Sequence, residues 1–142
     1  MGGLIGTAGP SKDGLMSRNY CVTKIANNLP SGTSKLFKMS GSYGYATFEL
    51  IANTDNGRMA IYTFSFSVYT GDFIKPSLIK GVDFYGAVKF FKKENDTNLI
   101  YIQLETAGNA TSLYIRCLTG NFTINIAESN DSIETLTEIQ LQ

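Results

Sequence analysis

Histidine and tryptophan are both absent from this chain of 142 residues, and cysteine occurs only twice. The missing imidazole removes the commonest general base, the commonest metal ligand and the usual sensor of mild acidity, so most hydrolase arrangements fail at the outset. Two thiols, Cys21 and Cys117, are too few for a disulfide scaffold and fall in stretches of different character, so both read as free. No run approaches the ~20 apolar residues of a membrane-spanning helix, and Met1 to Pro10 has neither the basic start nor the apolar stretch of a secretion signal. Lys+Arg and Asp+Glu are 12 each, which leaves no net field to gather nucleic acid or an anionic membrane. The expectation is a protein made in a cytoplasm, with neither a membrane nor nucleic acid as its partner and with no cofactor.

What is present suffices for one domain with a core of its own. Hydrophobic residues make up 43% and charged residues only 17%, fewer charges than most soluble monomers carry, so part of the surface is expected to be covered by partners. Residues 1 to 14 are rich in Gly, Ser, Thr and Pro and read as a linker. Leu15, Val22 and Leu29 then recur seven apart with Ile25 between the last two, and Ser17 stands where it would cap a helix beginning at Arg18. That stripe predicts a helix of about three turns, ended by Pro30-Ser-Gly. The predicted division is a linker and helical collar over 1–30 and a β domain over 31–142.

From Lys35 the period changes to that of strands. Tyr45 to Ile51 and Met59 to Tyr69 both alternate, and Asn53-Thr-Asp-Asn-Gly57 between them has the residues a tight turn needs, so they form a hairpin. Val82 to Phe91 and Leu99 to Glu105 form a second around Lys92 to Thr97, and Ser112 to Leu118 with Phe122 to Ala127 a third around Thr119-Gly-Asn121. Glu134 to Leu141 alternates imperfectly and reads as a last strand. About eight strands in all point to an all-β, antiparallel two-sheet sandwich, jelly-roll-like.

The segment Gly6-Thr-Ala-Gly-Pro-Ser-Lys-Asp-Gly-Leu-Met-Ser17, with Gly14-Leu15-Met16-Ser17 as its core, resembles a collar segment of bacteriophage tail-fibre and head-fibre proteins. In those proteins the Ser is usually followed by Ala, an acidic residue and Lys, where this chain has Arg18-Asn-Tyr-Cys21. The resemblance implies a homotrimeric virion fibre assembled in a bacterial host. Its short helix would ring a three-fold axis, its N-terminal segment would join other tail or capsid proteins, and its β domain would form a knob. Leu15, Val22, Ile25 and Leu29 would then be the trimer seam, with Arg18 where a longer coiled coil wants an apolar residue.

Catalysis has less support in these residues than recognition. Asp55, Glu94, Asp96, Asp131 and Glu134 fall in turns or at strand ends, where acids are ordinarily solvated, and Glu49, Asp83 and Glu105 fall at solvent-facing strand positions. The Asn53 to Gly57 run lacks the bidentate acid of a calcium loop, so no metal site is expected. Eight tyrosines suit shallow contacts with sugars or proteins. Tyr43 and Tyr45 flank Gly44 at a strand entry, and Tyr69, Asp72, Phe73 and Lys75 sit together after the most regular strand; these are the expected ligand-binding loops. The function expected is attachment to a host-surface ligand, most simply a glycan, by a non-enzymatic knob. A capsid decoration protein anchored by the N-terminal segment, and a glycan-cleaving enzyme, are the alternatives.

Overall fold

Alternation of apolar and hydroxyl-bearing side chains over so much of the chain leaves it little choice but to pair strands face to face. The computed structural model describes residues 22–41, 45–67, 73–94, 96, 99–120 and 125–142, with the backbone alone at 73–75 and 80. Among these residues lie ten strands: β1 Thr23–Leu29, β2 Ser34–Ser40, β3 Tyr45–Thr54, β4 Met59–Ser67, β5 Phe73–Val82, β6 Ala87–Lys92, β7 Leu99–Glu105, β8 Thr111–Gly120, β9 Asn125–Glu128 and β10 Thr137–Ile139. A single 3-10 turn, Ile133–Thr135, precedes β10. The first sheet runs β1-β8-β3-β4-β5 and the second β10-β6-β7-β2-β9, and every pairing is antiparallel.

Period two explains the core directly. β3 turns Phe48, Leu50 and Ala52 inward and β4 answers with Ala60, Tyr62 and Phe64, while the second sheet contributes Phe37, Met39, Phe90, Ile100, Ile102 and Leu104. Phe48 stacks on Phe64 at 5.3 Å between centroids, and Phe64 meets Phe90 across the two sheets at 5.3 Å. Outside the second sheet a smaller cluster gathers Leu36, Phe91 and Tyr101 under Leu99 and Leu136. It exists because the chain between β9 and β10 crosses from one edge of that sheet to the other. Tyr101 is fully buried beneath the crossing, and its hydroxyl donates to Asp131 Oδ2 at 2.6 Å.

Four expectations are corrected. Residues 23–29 form an edge strand, so Ile25 and Leu29 pack on the core of their own sandwich instead of forming a helical seam, and Val22 is exposed beside them. The four-residue spacing that read as helical comes from irregular register against β8, between Lys24 and Ala26 and again between Ala26 and Leu29. An isolated helix of this length is marginal, whereas the edge of β8 offers a full row of backbone partners. With β1 in the first sheet, residues 23–29 belong to the sandwich and not to a collar; Leu15 lies outside the described residues.

The hairpin expected around Thr119-Gly-Asn121 is absent: β8 ends in the first sheet and β9 pairs with β2 in the second. Alternation looks the same in either sheet, so local pattern cannot tell a hairpin from a change of sheet. At Gly120 the backbone presses on β3 so closely that a Cβ would run into the Tyr45 carbonyl oxygen and lie 2.6 Å from Ala46 Cα. Phe73 and Lys75 lie in a strand, not a loop, since β5 tolerates Pro76 by being an edge. The strand expected from Val82 to Phe91 is broken in two, with Val82 ending β5 and Asp83, at φ 48°, turning the chain toward β6. The hairpins β3–β4 and β6–β7 are as expected, and the last strand is shortened to β10.

Candidate functional site

Antiparallel order sorts the connections to two ends of the sandwich. Tyr45 opens β3 opposite Ser67, the last residue of β4, and Phe73 opens β5 opposite Phe66. Tyr45 and Phe73 are therefore two strands apart at one end of the first sheet, about 10 Å by ordinary strand spacing. Tyr45 is well exposed there. Tyr43, Tyr69 and Asp72 lie outside the described residues, and for Phe73 and Lys75 only the backbone path is described.

At the opposite end lie the β1–β2, β3–β4, β5–β6 and β7–β8 connections, and here the geometry is fixed by hydrogen bonds. Thr54 N–H donates to the Arg58 carbonyl at 2.8 Å, Arg58 N–H donates to Thr54 Oγ1 at 2.9 Å, and Asp55 N–H reaches the Ala110 carbonyl at 3.1 Å. Thr106 ties the β1–β2 turn by accepting from Thr33 N–H at 2.8 Å and donating to the Pro30 carbonyl at 2.5 Å. Gly57, at φ 84°, supplies the left-handed residue that the β3–β4 turn demands.

Two side chains meet on this frame that sequence reasoning had not singled out. The Arg58 guanidinium carbon lies 4.5 Å from the centroid of the Tyr85 ring, and Tyr85 is 62% exposed. Gly108 fits under the ring's edge, where a Cβ would stand 3.4 Å from Cδ2. Gly86 holds the backbone so near β7 that a Cβ would lie 2.5 Å from the Glu105 carbonyl oxygen and 2.9 Å from the Phe84 ring. The signals available in sequence were a cation directly after Asn56-Gly57 and an aromatic between Asp83 and Gly86; neither says that the two turns touch.

Gly86 also begins a cavity of about 390 Å³ lined by Tyr62, Ala87, Val88, Lys89 and Phe90 on one side and Glu138 to Leu141 on the other. It opens because β10 pairs with β6 only from Phe90 to Lys92, after which the chain leaves for the first sheet, where Gln142 N–H donates to the Pro76 carbonyl at 2.9 Å. Burial pushes the Tyr62 hydroxyl above its ordinary range, opposed by a hydrogen bond with the Val88 backbone. The charged groups are already engaged: Glu138 Oε2 accepts from Gln140 Nε2 at 3.2 Å, and Lys89 Nζ lies 3.7 Å from Glu105 Oε1.

Elsewhere the titratable groups serve structure. Burial raises the Cys117 thiol, whose Sγ donates to the Thr119 carbonyl at 3.4 Å. Burial and the neighbouring Asp131 carboxylate raise Tyr101, and the hydrogen bond from Tyr101 holds Asp131 below its ordinary range. Among the described residues no group of three or more Cys, Asp or Glu side chains is placed to hold a metal ion. No protein-family model, curated protein or solved structure matches the chain. What the Arg58 and Tyr85 surface offers chemically is an aromatic ring open to solvent, a fork of guanidinium donors beside it and a cavity of small-molecule size at its edge.

Proposed function

We propose that this chain is the knob of a homotrimeric virion fibre of the bacteriophage tail-fibre or head-fibre kind, and that it binds a host-surface glycan without cleaving it. Three features support this. The Gly14 to Ser17 segment resembles the collar of such fibres. The domain that follows is an antiparallel two-sheet sandwich whose nested pairings, β1 with β8, β2 with β7 and β4 with β5, favour a jelly-roll-like description. The third feature carries the proposal: an exposed aromatic ring held rigidly among turns at one end of the sandwich, where rigid sheets present binding loops. Sugars are bound by stacking their C–H faces on such rings, and a preordered ring loses little freedom on binding.

In this proposal the N-terminal segment joins other virion proteins, and the trimer does not draw on Ile25 and Leu29, which their own core occupies. Binding is favoured over catalysis because the acids that line or border the cavity are committed to Gln140 and Lys89. The test is equilibrium binding of the whole chain to polysaccharides extracted from bacterial surfaces, read together with light scattering. Saturable binding without release of reducing ends, by a particle three times the 15.5 kDa chain mass, is expected. A stable monomer at micromolar concentration would sink the trimer, and cleavage of the polysaccharide would move the chain to the enzymes.

A further inference from the structure

We propose that the Arg58 and Tyr85 surface selects sugars that carry a carboxylate, such as a uronic acid, with the carboxylate on Arg58 and the pyranose ring on Tyr85. The proposal rests on the glycan-binding reading and goes beyond it by naming the ligand's charge and the residue that reads it. The observation behind it is an arginine without a counter-ion. Of the two arginines among the described residues, Arg116 donates from Nε to Glu49 Oε1 at 3.0 Å, whereas no described carboxylate lies within ion-pair distance of Arg58. Neither Asp55, three residues before Arg58, nor Asp83, two residues before Tyr85, pairs with it.

Arg58 is half-buried, and its guanidinium lies over the ring of Tyr85. Attraction between a cation and a ring face consumes none of the guanidinium's five N–H donors, so the fork that matches a carboxylate bidentately remains available. Tyr85 keeps 62% of its surface in water although Arg58 covers part of it, which leaves ring area for a second planar or sugar-like contact. The parts are also held in place. The backbone bonds of Thr54 with Arg58 fix one turn, Asp55 N–H ties it to the β7–β8 connection through Ala110, Gly86 next to Tyr85 holds the backbone close to the Glu105 carbonyl, and Gly108 lies beside the edge of the ring.

The cavity beyond Gly86 carries charge of both signs, Lys89 on one wall and Glu138 on the other, and offers polar partners for a sugar's hydroxyls beside the ring. With no net charge on the chain, attraction is local, and an acid lacking a ring would gain only the Arg58 contact. That separates a carboxylated sugar from an acidic peptide.

Calorimetric titration of the whole chain with a panel of uronic-acid and nonulosonic-acid oligosaccharides, their carboxyl-reduced neutral counterparts, and oligoglutamate tests this. Binding by at least one acidic sugar is expected, weakened at least about tenfold by carboxyl reduction, by Arg58→Gln and by Tyr85→Ala, with oligoglutamate far weaker. Lys24→Gln, which removes a similar cation 5.5 Å from the Tyr114 ring on the outer face of the first sheet, serves as the control and should leave affinity unchanged. Thermal midpoints of each variant show whether it is folded. Neutral sugars binding as well as acidic ones, or an Arg58→Gln variant that is folded and binds normally, would overturn the proposal while leaving glycan binding intact. Equal binding of oligoglutamate would overturn its sugar half, and no binding by any sugar would overturn both.

Discussion

Replacing Gly86 by alanine should destabilise the domain well beyond what a methyl group in a connection ordinarily does. The new Cβ would sit 2.5 Å from the Glu105 carbonyl oxygen and 2.9 Å from Cζ of Phe84. The ring can rotate aside, but the carbonyl belongs to β7, which is central in the second sheet and cannot move without its neighbours. Even a tight carbon–oxygen contact requires about 3.3 Å, so the two strands must part by about 0.8 Å. That displacement falls on the adjoining Ala87 and Glu105 rung of the β6–β7 ladder and stretches a hydrogen bond of about 2.9 Å past its useful range. Overpacking costs about 1–3 kcal/mol and the lost bond about 1 kcal/mol, so the expected loss is roughly 2–4 kcal/mol. In a domain of this size that lowers the thermal midpoint by roughly 8–16 °C. Gly81→Ala is the matched control: its Cβ meets nothing nearer than Leu78 Cδ2 at 3.8 Å, and its backbone is not left-handed. It should be neutral or gain about 0.4–1 kcal/mol. Urea and thermal unfolding of both variants decide the matter, and a Gly86→Ala protein as stable as Gly81→Ala would refute the close approach of β6 to β7 and the placement of Tyr85 that depends on it.

Gly120→Ala should cost more still, because its Cβ would run into the Tyr45 carbonyl oxygen and its φ of 113° is foreign to alanine; failure to recover folded protein, or a midpoint below that of Gly86→Ala, is expected. Phe90→Ala removes a fully buried ring that packs on Phe64 and Tyr62 and should cost about 3–5 kcal/mol by urea titration. Tyr101→Phe should destabilise at neutral pH by removing the donor to Asp131. The Asp131 carboxyl is lowered in the folded state, so this contribution is present above the ordinary carboxylate range and fades as the pH falls through and below it. The Tyr101 hydroxyl is raised, so the wild type should lose stability relative to the variant as the pH climbs above about 10. A difference between the two proteins that ignores pH would contradict the contact.

Much of the sandwich was legible in sequence because β3, β4, β6 and β7 each turn one face to a core, and period two then follows from the pleat. The β3–β4 turn was legible through Asn53 to Gly57, whose glycine does adopt φ 84°. Three things were hidden for physical reasons. Bulged pairing gives β1 the spacing of a helix, so Ile25 and Leu29 mimic a seam. Pro76 and Gly81 interrupt β5, and only its place at the sheet edge makes them harmless. Whether a strand stays in its sheet or crosses over depends on long-range partners, and Phe37 to Ser40 of β2, which receive β9, are far away in sequence.

The proposed binding surface was hidden for the same reason. Tyr85 and Arg58 come from connections on either side of β4 and β5, and nothing local to either announces the other. Of the tyrosines that sequence did favour, Tyr45 is the described one, and it stands exposed at the other end of the sandwich. Aromatic content thus raised the expectation of recognition without singling out either end of the sandwich.

The most direct measurement is a titration of the isotopically labelled chain with an acidic oligosaccharide, followed by the backbone amide spectrum. Shifts concentrated at residues 54–58, 83–86 and 106–110 are expected, with the amides of Ile139 to Leu141 responding where the sugar enters the cavity. Shifts gathered instead around Tyr45, Ser67 and Gly120, or a spectrum unchanged at saturating sugar, would contradict the assignment of glycan binding to the Arg58 and Tyr85 end.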